Sequence, residues 1–203
     1  PTPEQVNLLI QAMPEGKYRV ATMLAAWSGL RFGELTELRA GDVVWQDGAP
    51  VAVRVRRGVV RVKGGQVVDT PKSDAGIRNV SIPPHVRPAL TQHLEGVEQD
   101  GLLFQGTVNR KPLAHSSLMW HYNQARQVTG LTEVNWHRLR HFNATYAAMA
   151  GATLAELMNR LGHSTVNAAI VYQHATDGRD QEIGDRLSQF AQSGNVVPIR
   201  GVA

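Results

Sequence analysis

The spacing of apolar residues changes period twice along this chain, and that change limits the fold more than any other feature. From Val43 to Ile82 the period is two: Val51-Ala52-Val53-Arg54-Val55-Arg56, Val59-Val60-Arg61-Val62-Lys63 and Asn79-Val80-Ser81-Ile82 alternate, with Gly58, Gly64-Gly65 and Asp74-Ala75-Gly76 as turns. Alternation over such short runs predicts a small antiparallel sheet, which Pro83-Pro84 ends. On both sides the pattern is helical. Thr2 and Gln5 form a capping box around Pro3, and Val6, Leu9, Ile10 and Met13 mark one apolar face. A second helix over residues 18–28 is almost wholly apolar and is expected to be buried. Gly29 and Gly33 then bracket Arg31 in a short bend. Beyond the sheet, helices are expected over residues 84–95, 115–128, 138–150, 154–161, 166–174 and 177–192, with Thr153 and Glu156 as a further capping box. The predicted class is α+β, mostly helical with a small antiparallel sheet or hairpin on one side.

A chain of 203 residues fits one large domain. Residues 1–192 read as that domain and 193–203 as an extended or mobile tail, while Pro1-Thr2-Pro3 reads as a cut between domains. There is no cysteine, which removes disulfides and thiolate metal sites. No apolar run approaches the about 20 residues that a membrane helix needs, and no leader is visible. The formal net charge is +4, modest for a partner of polyphosphates, but Arg54, Arg56, Arg57, Arg61 and Lys63 fall within ten residues with few acids nearby in sequence. That strip is a candidate DNA contact, although alternating Arg and Val also describe an ordinary exposed strand.

Chemistry-bearing residues concentrate near the C-terminus. His137 and Arg140 stand three apart and share a helix face; Leu161-Gly162-His163 follows, then Tyr172; upstream, Arg31 sits in Ser28-Gly29-Leu30-Arg31-Phe32-Gly33-Glu34-Leu35. Two arginines can neutralise a phosphodiester, two histidines can move protons near neutral pH, and a tyrosine can attack. At these spacings the set resembles the catalytic domain of the tyrosine recombinases, the phage-integrase family, over nearly the whole chain. The resemblance implies the fold of that catalytic domain, with core-binding and arm-binding domains absent from this chain. It makes Tyr172 the nucleophile. Arg31 and Arg140 would hold the non-bridging phosphate oxygens, His163 would donate to one of them, and His137 would take the proton from Tyr172 or help orient it. Glu34 would hold Arg31 or a histidine in place, and a β-hairpin lysine would protonate the leaving 5′-oxygen. Lys72, in Thr70-Pro71-Lys72-Ser73-Asp74, matches that lysine, with Lys63 as its competitor.

The implied activity is site-specific DNA recombination through a 3′-phosphotyrosine and a free 5′-hydroxyl, without metal, ATP or any other cofactor. The implied partners are double-stranded attachment sites and further protomers, a tetramer on paired sites, with C-terminal tails exchanged between them. A bacterial cytoplasm is the implied location. A type IB topoisomerase-like activity and a DNA-binding module without catalysis are the alternatives. A metal-dependent nuclease would want clustered carboxylates, which the scattered acids do not offer.

There are two departures from the family pattern: Arg138 where an acid is more usual, and Phe142-Asn143 in place of small hydroxyl residues. His115-Ser116 opens a helix whose first amides suit a phosphate. The other histidines, His141 among them, are expected to pack or to contact backbone, and Trp27, Trp45 and Trp136 to serve the core.

Overall fold

The computed structural model describes residues 1–62, 65–69, 76–106, 111–163 and 165–172, together with 181, 184, 185 and 187–189. Helix α1 (Pro3–Ala12) starts as expected: the Thr2 hydroxyl accepts from the Gln5 amide and the Gln5 side chain accepts from the Thr2 amide. Its Val6, Leu9 and Ile10 are buried. Helix α2 (Lys17–Ser28) carries Val20, Ala21, Leu24, Ala25 and Ala26 into the core and packs against α1 and the later helices α4 (Arg87–Leu94) and α6 (Trp136–Met149). It stops at Gly29, whose φ of 70° is the left-handed cap that glycine adopts without strain. Helix α3 (Phe32–Thr36) follows after two residues.

The alternating region folds as two sheets, not one. Strands β1 (Val43–Gln46), β2 (Ala49–Val55) and β5 (Arg78–Ser81) form an antiparallel sheet in the order β1-β2-β5, while among the described residues β3 (Gly58–Val62) and β4 (Gly65–Asp69) pair with each other alone. Asp47 and Gly48, both with positive φ, close the β1–β2 turn, a dipeptide suited to a tight hairpin. Val53, Val55 and Val80 face the core, and β2 lies against α4. The β3–β4 ribbon stands on α3. Gly33 makes this possible, because a Cβ there would lie 2.2 Å from the Val59 carbonyl oxygen. Trp45, expected in the core, is 46% exposed: the β1–β2 register slips between Val44 and Trp45 and turns it outward.

The expected helix over 84–95 begins as a 3-10 turn (Pro84–Val86) before α4. Helices α5 (His115–Thr129), α6 and α7 (Leu154–Leu161) occupy their predicted stretches to within two residues. The helix expected over 166–174 is only α8 (Asn167–Ile170), and Tyr172 lies in the turn after it. The expected helix over 177–192 falls largely outside the described residues, and the tail 193–203 wholly so. Among the described residues no helix is long and apolar enough to cross a membrane. A second, smaller apolar cluster joins Ala144 and Ala148 of α6 to Leu157 and Leu161 of α7 and to Tyr172.

Candidate active site

The C-terminal end of α7 organises the site. A helix leaves its last carbonyls without intrahelical partners, and the aligned peptide dipoles give that end a partial negative charge. Here three successive carbonyls each receive a different arginine. Arg78 Nε donates to the Arg160 oxygen at 2.9 Å, Arg140 Nη2 to the Leu161 oxygen, and Arg31 Nη2 to the Gly162 oxygen at 2.9 Å. Gly162 takes the left-handed cap conformation, and the His163 amide closes back on the Met158 oxygen, so the histidine leaves the helix beside the three guanidinium groups.

Glu34 ties this cluster together from below. Its carboxylate accepts both Nη atoms of Arg78 at 3.1 and 2.9 Å, Nη1 of Arg31 at 2.9 Å and the Arg31 amide at 2.8 Å. Burial alone would raise the Glu34 pKa, but the Arg78 pairing and the Arg31 contacts outweigh it and hold the carboxyl below its usual range. The Arg31–Glu34 ion pair therefore exists, and the same carboxylate aims the guanidinium. Arg78, with a fully buried side chain, was not among the residues expected at the site. A signal for it was present. It shares strand parity with Val80 and Ile82, the buried face, and a cation on such a face requires an acid inside the protein.

Arg140 is almost wholly buried and also donates Nη1 to the Gly29 oxygen at 2.6 Å. Burial and the like charge of Arg31 push its pKa down to about 10, so it stays protonated at neutral pH. Burial and then the charges of Arg140, Arg31 and Arg78 push His163 down to about 4, leaving it neutral, and its Nδ1 is buried without a hydrogen-bond partner among the described residues. Arg31, His137 and Arg140 line one pocket of about 270 Å3 together with Leu30, Phe32 and Trp136. Its concentration of positive charge suits an anion. Arg160 holds the rear of the cluster, donating to Asn143 Oδ1 and to the Trp27 oxygen, both at 2.9 Å. Asn143, a departure from the family pattern, is buried and thus has a charged partner of its own.

Tyr172 has its ring in the α6–α7 cluster and is only 9% exposed. Burial raises its phenol pKa, partly countered by the charge of Arg140. Its hydroxyl is 2.6 Å from Nδ1 of His141, and the His141 ring lies edge-on to His137 at 4.6 Å. This corrects the expectation that His141 only packs or contacts backbone. Among the described residues no hydrogen bond joins His137 to Tyr172. The i, i+4 spacing of His137 and His141 was readable, but which of the two meets the tyrosine depends on where α8 lands, which no local pattern specifies.

The basic strip is less free than its sequence implies. Arg57 pairs with Asp42 and lies 3.8 Å from Glu37, and Arg56 lies 3.6 Å from Asp42. Both acids are buried and arrive from the segment before β1. Arg54 is exposed on β2. Lys63 and Lys72 lie outside the described residues, as does the side chain of Arg61. His115 and Ser116 are exposed at the start of α5, with the His115 ring edge-on to Phe32 at 4.8 Å. Among the described residues no group of three or more histidines and carboxylates could hold a metal ion.

The chain is also similar to known proteins. Over 196 residues the chain is 46% identical to a protein of Mycobacterium tuberculosis that carries the name of prophage phiRv2 integrase, covering 95% of this chain and 51% of that one. It is 37% identical to the integrase of Mycobacterium phage L5 over 197 residues, 95% of this chain and 52% of that one. The chain spans about half the length of these curated relatives. Among solved structures, the Tn1549 transposon integrase in complex with transposon right-end DNA superposes with a TM-score of 0.71 at 22% identity, over 93% of this chain and 65% of that one. XerA recombinase gives 0.67 at 21%, over 97% and 64%. These likenesses place the fold among tyrosine recombinase catalytic domains. The family match runs over residues 2–179, and the chain belongs to the phage integrase family.

Proposed function

We propose that this chain carries the catalytic machinery of a site-specific DNA recombinase that cleaves and rejoins strands through Tyr172. The observation that carries the reading is the docking of three arginines on the last carbonyls of α7, which fixes two of them, Arg31 and Arg140, in one small pocket beside His163. A phosphodiester in that pocket would meet guanidinium donors already oriented, so little reorganisation accompanies the extra negative charge of the pentavalent transition state. The Tyr172 oxygen bonds to phosphorus, the bond to the 5′-oxygen breaks, and a 3′-phosphotyrosine and a 5′-hydroxyl result. His163, neutral with a ring N–H available, donates to a non-bridging oxygen. His137 lines the pocket as well, and Lys72 is the proposed donor to the leaving oxygen. The phosphate remains a diester throughout, so rejoining is the reverse reaction and requires neither ATP nor metal.

The partners in this reading are double-stranded attachment sites and further protomers, a tetramer on paired sites with C-terminal tails exchanged between subunits. The location is the cytoplasm of a bacterial host, at the nucleoid when acting. Arg54 and the His115–Ser116 start of α5 are the described groups proposed to touch the DNA backbone, with Arg61 and Lys63. Arg56 and Arg57 contribute less because Asp42 and Glu37 already share their charge.

The test is covalent trapping on nicked duplex DNA in EDTA. Wild type is expected to yield a denaturation-resistant protein–DNA adduct, and Tyr172→Phe to yield none. An adduct that persists in Tyr172→Phe would remove the tyrosine from its role. One that forms only with added metal would point to a nuclease.

A further inference from the structure

We propose that Arg138 clamps a DNA phosphate that neighbours the cleaved one, in the groove that runs along α6 beside the catalytic pocket. The inference rests on the DNA-cleavage reading above and adds a binding residue to it. Arg138 stands where the family more usually carries an acid, and the start of α6 shows what the exchange gives up. Asn135 caps this helix by accepting the Arg138 amide, so Arg138 is the third helical residue. An acid at that place can reach back to the cap amide and lies favourably against the positive end of the helix dipole. An arginine does neither, and the first turn of α6 holds no acidic residue at all. A local choice that opposes helix stability calls for a gain elsewhere.

The gain is an unengaged cation at the edge of the site. Arg138 is exposed, and among the described residues its guanidinium has no hydrogen bond and no ion pair. Other arginines are already committed: Arg31 and Arg140 to carbonyls, Arg126 to Asn123, Arg57 to Asp42. Arg138 lines a groove of about 530 Å3 that passes His137, His141 and Thr145, and no carboxylate is among its described lining. Burial, then His137, Arg140 and Arg138, hold His141 below the usual histidine pKa, so this wall is electropositive. His137 lines both the groove and the pocket of Arg31 and Arg140, and the two cavities meet there. A strand with its scissile phosphate in the pocket carries the next phosphate one nucleotide on, a rise of about 3.4 Å along the duplex axis. That phosphate comes to lie in the groove, where a guanidinium can present two parallel donors to it.

The experiment measures binding of the full chain to a nicked duplex over a range of salt concentrations, for wild type, Arg138→Gln and Arg138→Glu, with matching thermal melts. One phosphate contact contributes about 0.9 to the slope of log affinity against log salt. Arg138→Gln is expected to lower the slope by about that amount. Arg138→Glu is expected to bind more weakly still while melting no lower than wild type, because the acid suits the start of the helix. Nicked duplexes that each carry one neutral methylphosphonate beside the nick then locate the contact. Wild type should lose affinity at one position where Arg138→Gln loses none. An unchanged salt slope in Arg138→Gln, the same methylphosphonate profile in variant and wild type, or affinity and melting temperature falling together in both variants would overturn the assignment. Covalent adduct formation by wild type is read on the same unmodified duplex. If it occurs, the cleavage reading survives any of these results; if it does not, that reading falls and the assignment with it.

Discussion

The arginine cluster and the tyrosine end are held in opposite ways. Arg31, Arg78 and Arg140 each have at least two fixed acceptors, drawn from a carboxylate, a helix cap and three consecutive carbonyls. Tyr172 follows a helix of only four residues, makes one side-chain hydrogen bond among the described residues, and has exposed Ile170 and Val171 beside it. A site that must stabilise charge benefits from donors that do not move. In the proposed reading the nucleophile bonds to phosphorus in one step and releases it in the next, and Tyr172 has a ring held by packing and a hydroxyl held by a single bond among the described residues.

The contrast can be broken first at Arg78. Arg78→Leu strips Glu34 of its bidentate partner inside the protein, and removal of one member of a buried ion pair costs about 3–5 kcal/mol. Chemical denaturation should report a loss of that order, and a loss below about 1 kcal/mol would show that the Arg78–Glu34 pair is not a buried anchor of the cluster. At the other end, Tyr172→Phe keeps the buried ring and loses one hydrogen bond to an exposed histidine. The expected cost is about 0.5–1.5 kcal/mol by the same measurement. The two variants should therefore differ at least twofold in destabilisation while Tyr172→Phe has the larger effect on the adduct.

The smallest expected effect concerns His163, which stands between the two regions. Its folded pKa, about 4, lies below the ordinary histidine value, so the unfolded chain takes up the proton first as the pH falls. Its contribution is fully present above about pH 6.5 and is lost as the pH falls toward 4. His163→Gln should flatten the decline of stability across that window and leave stability above it unchanged. Sulfate in the pocket should move the imidazole titration upward, read by NMR. A titration unaffected by sulfate would separate His163 from the anion site.

Much of this was legible in local pattern. The capping boxes at Thr2 and Thr153 formed as spaced, α2 is buried as its apolar run required, and the motif residues Arg31, His137 and Arg140 meet in one pocket. The part that was not legible depends on pairs distant in sequence. Alternation says that a segment is a strand but not which strand it pairs with, so the ribbon and the sheet were read as one. Arg56 and Arg57 stand among few acids in sequence, yet Glu37 and Asp42 reach them through the turn before β1. His141 was passed over because the partner that gives it meaning is 31 residues away.

The contact of Gly33 with Val59 has a consequence for the stretch of chain between β4 and β5, where Lys72 lies. That stretch departs from the end of β4 at Asp69, paired with Gly58 against α3, and it returns through Arg78, clamped on Glu34 of the same helix. Both of its moorings are thus on one short helix, the one that begins at Arg31. The described flanks of the segment that carries Lys72 are therefore tied to the same helix as the first arginine. Capture of the phosphate and protonation of the leaving oxygen, distinct as chemistry, would share one mechanical mount.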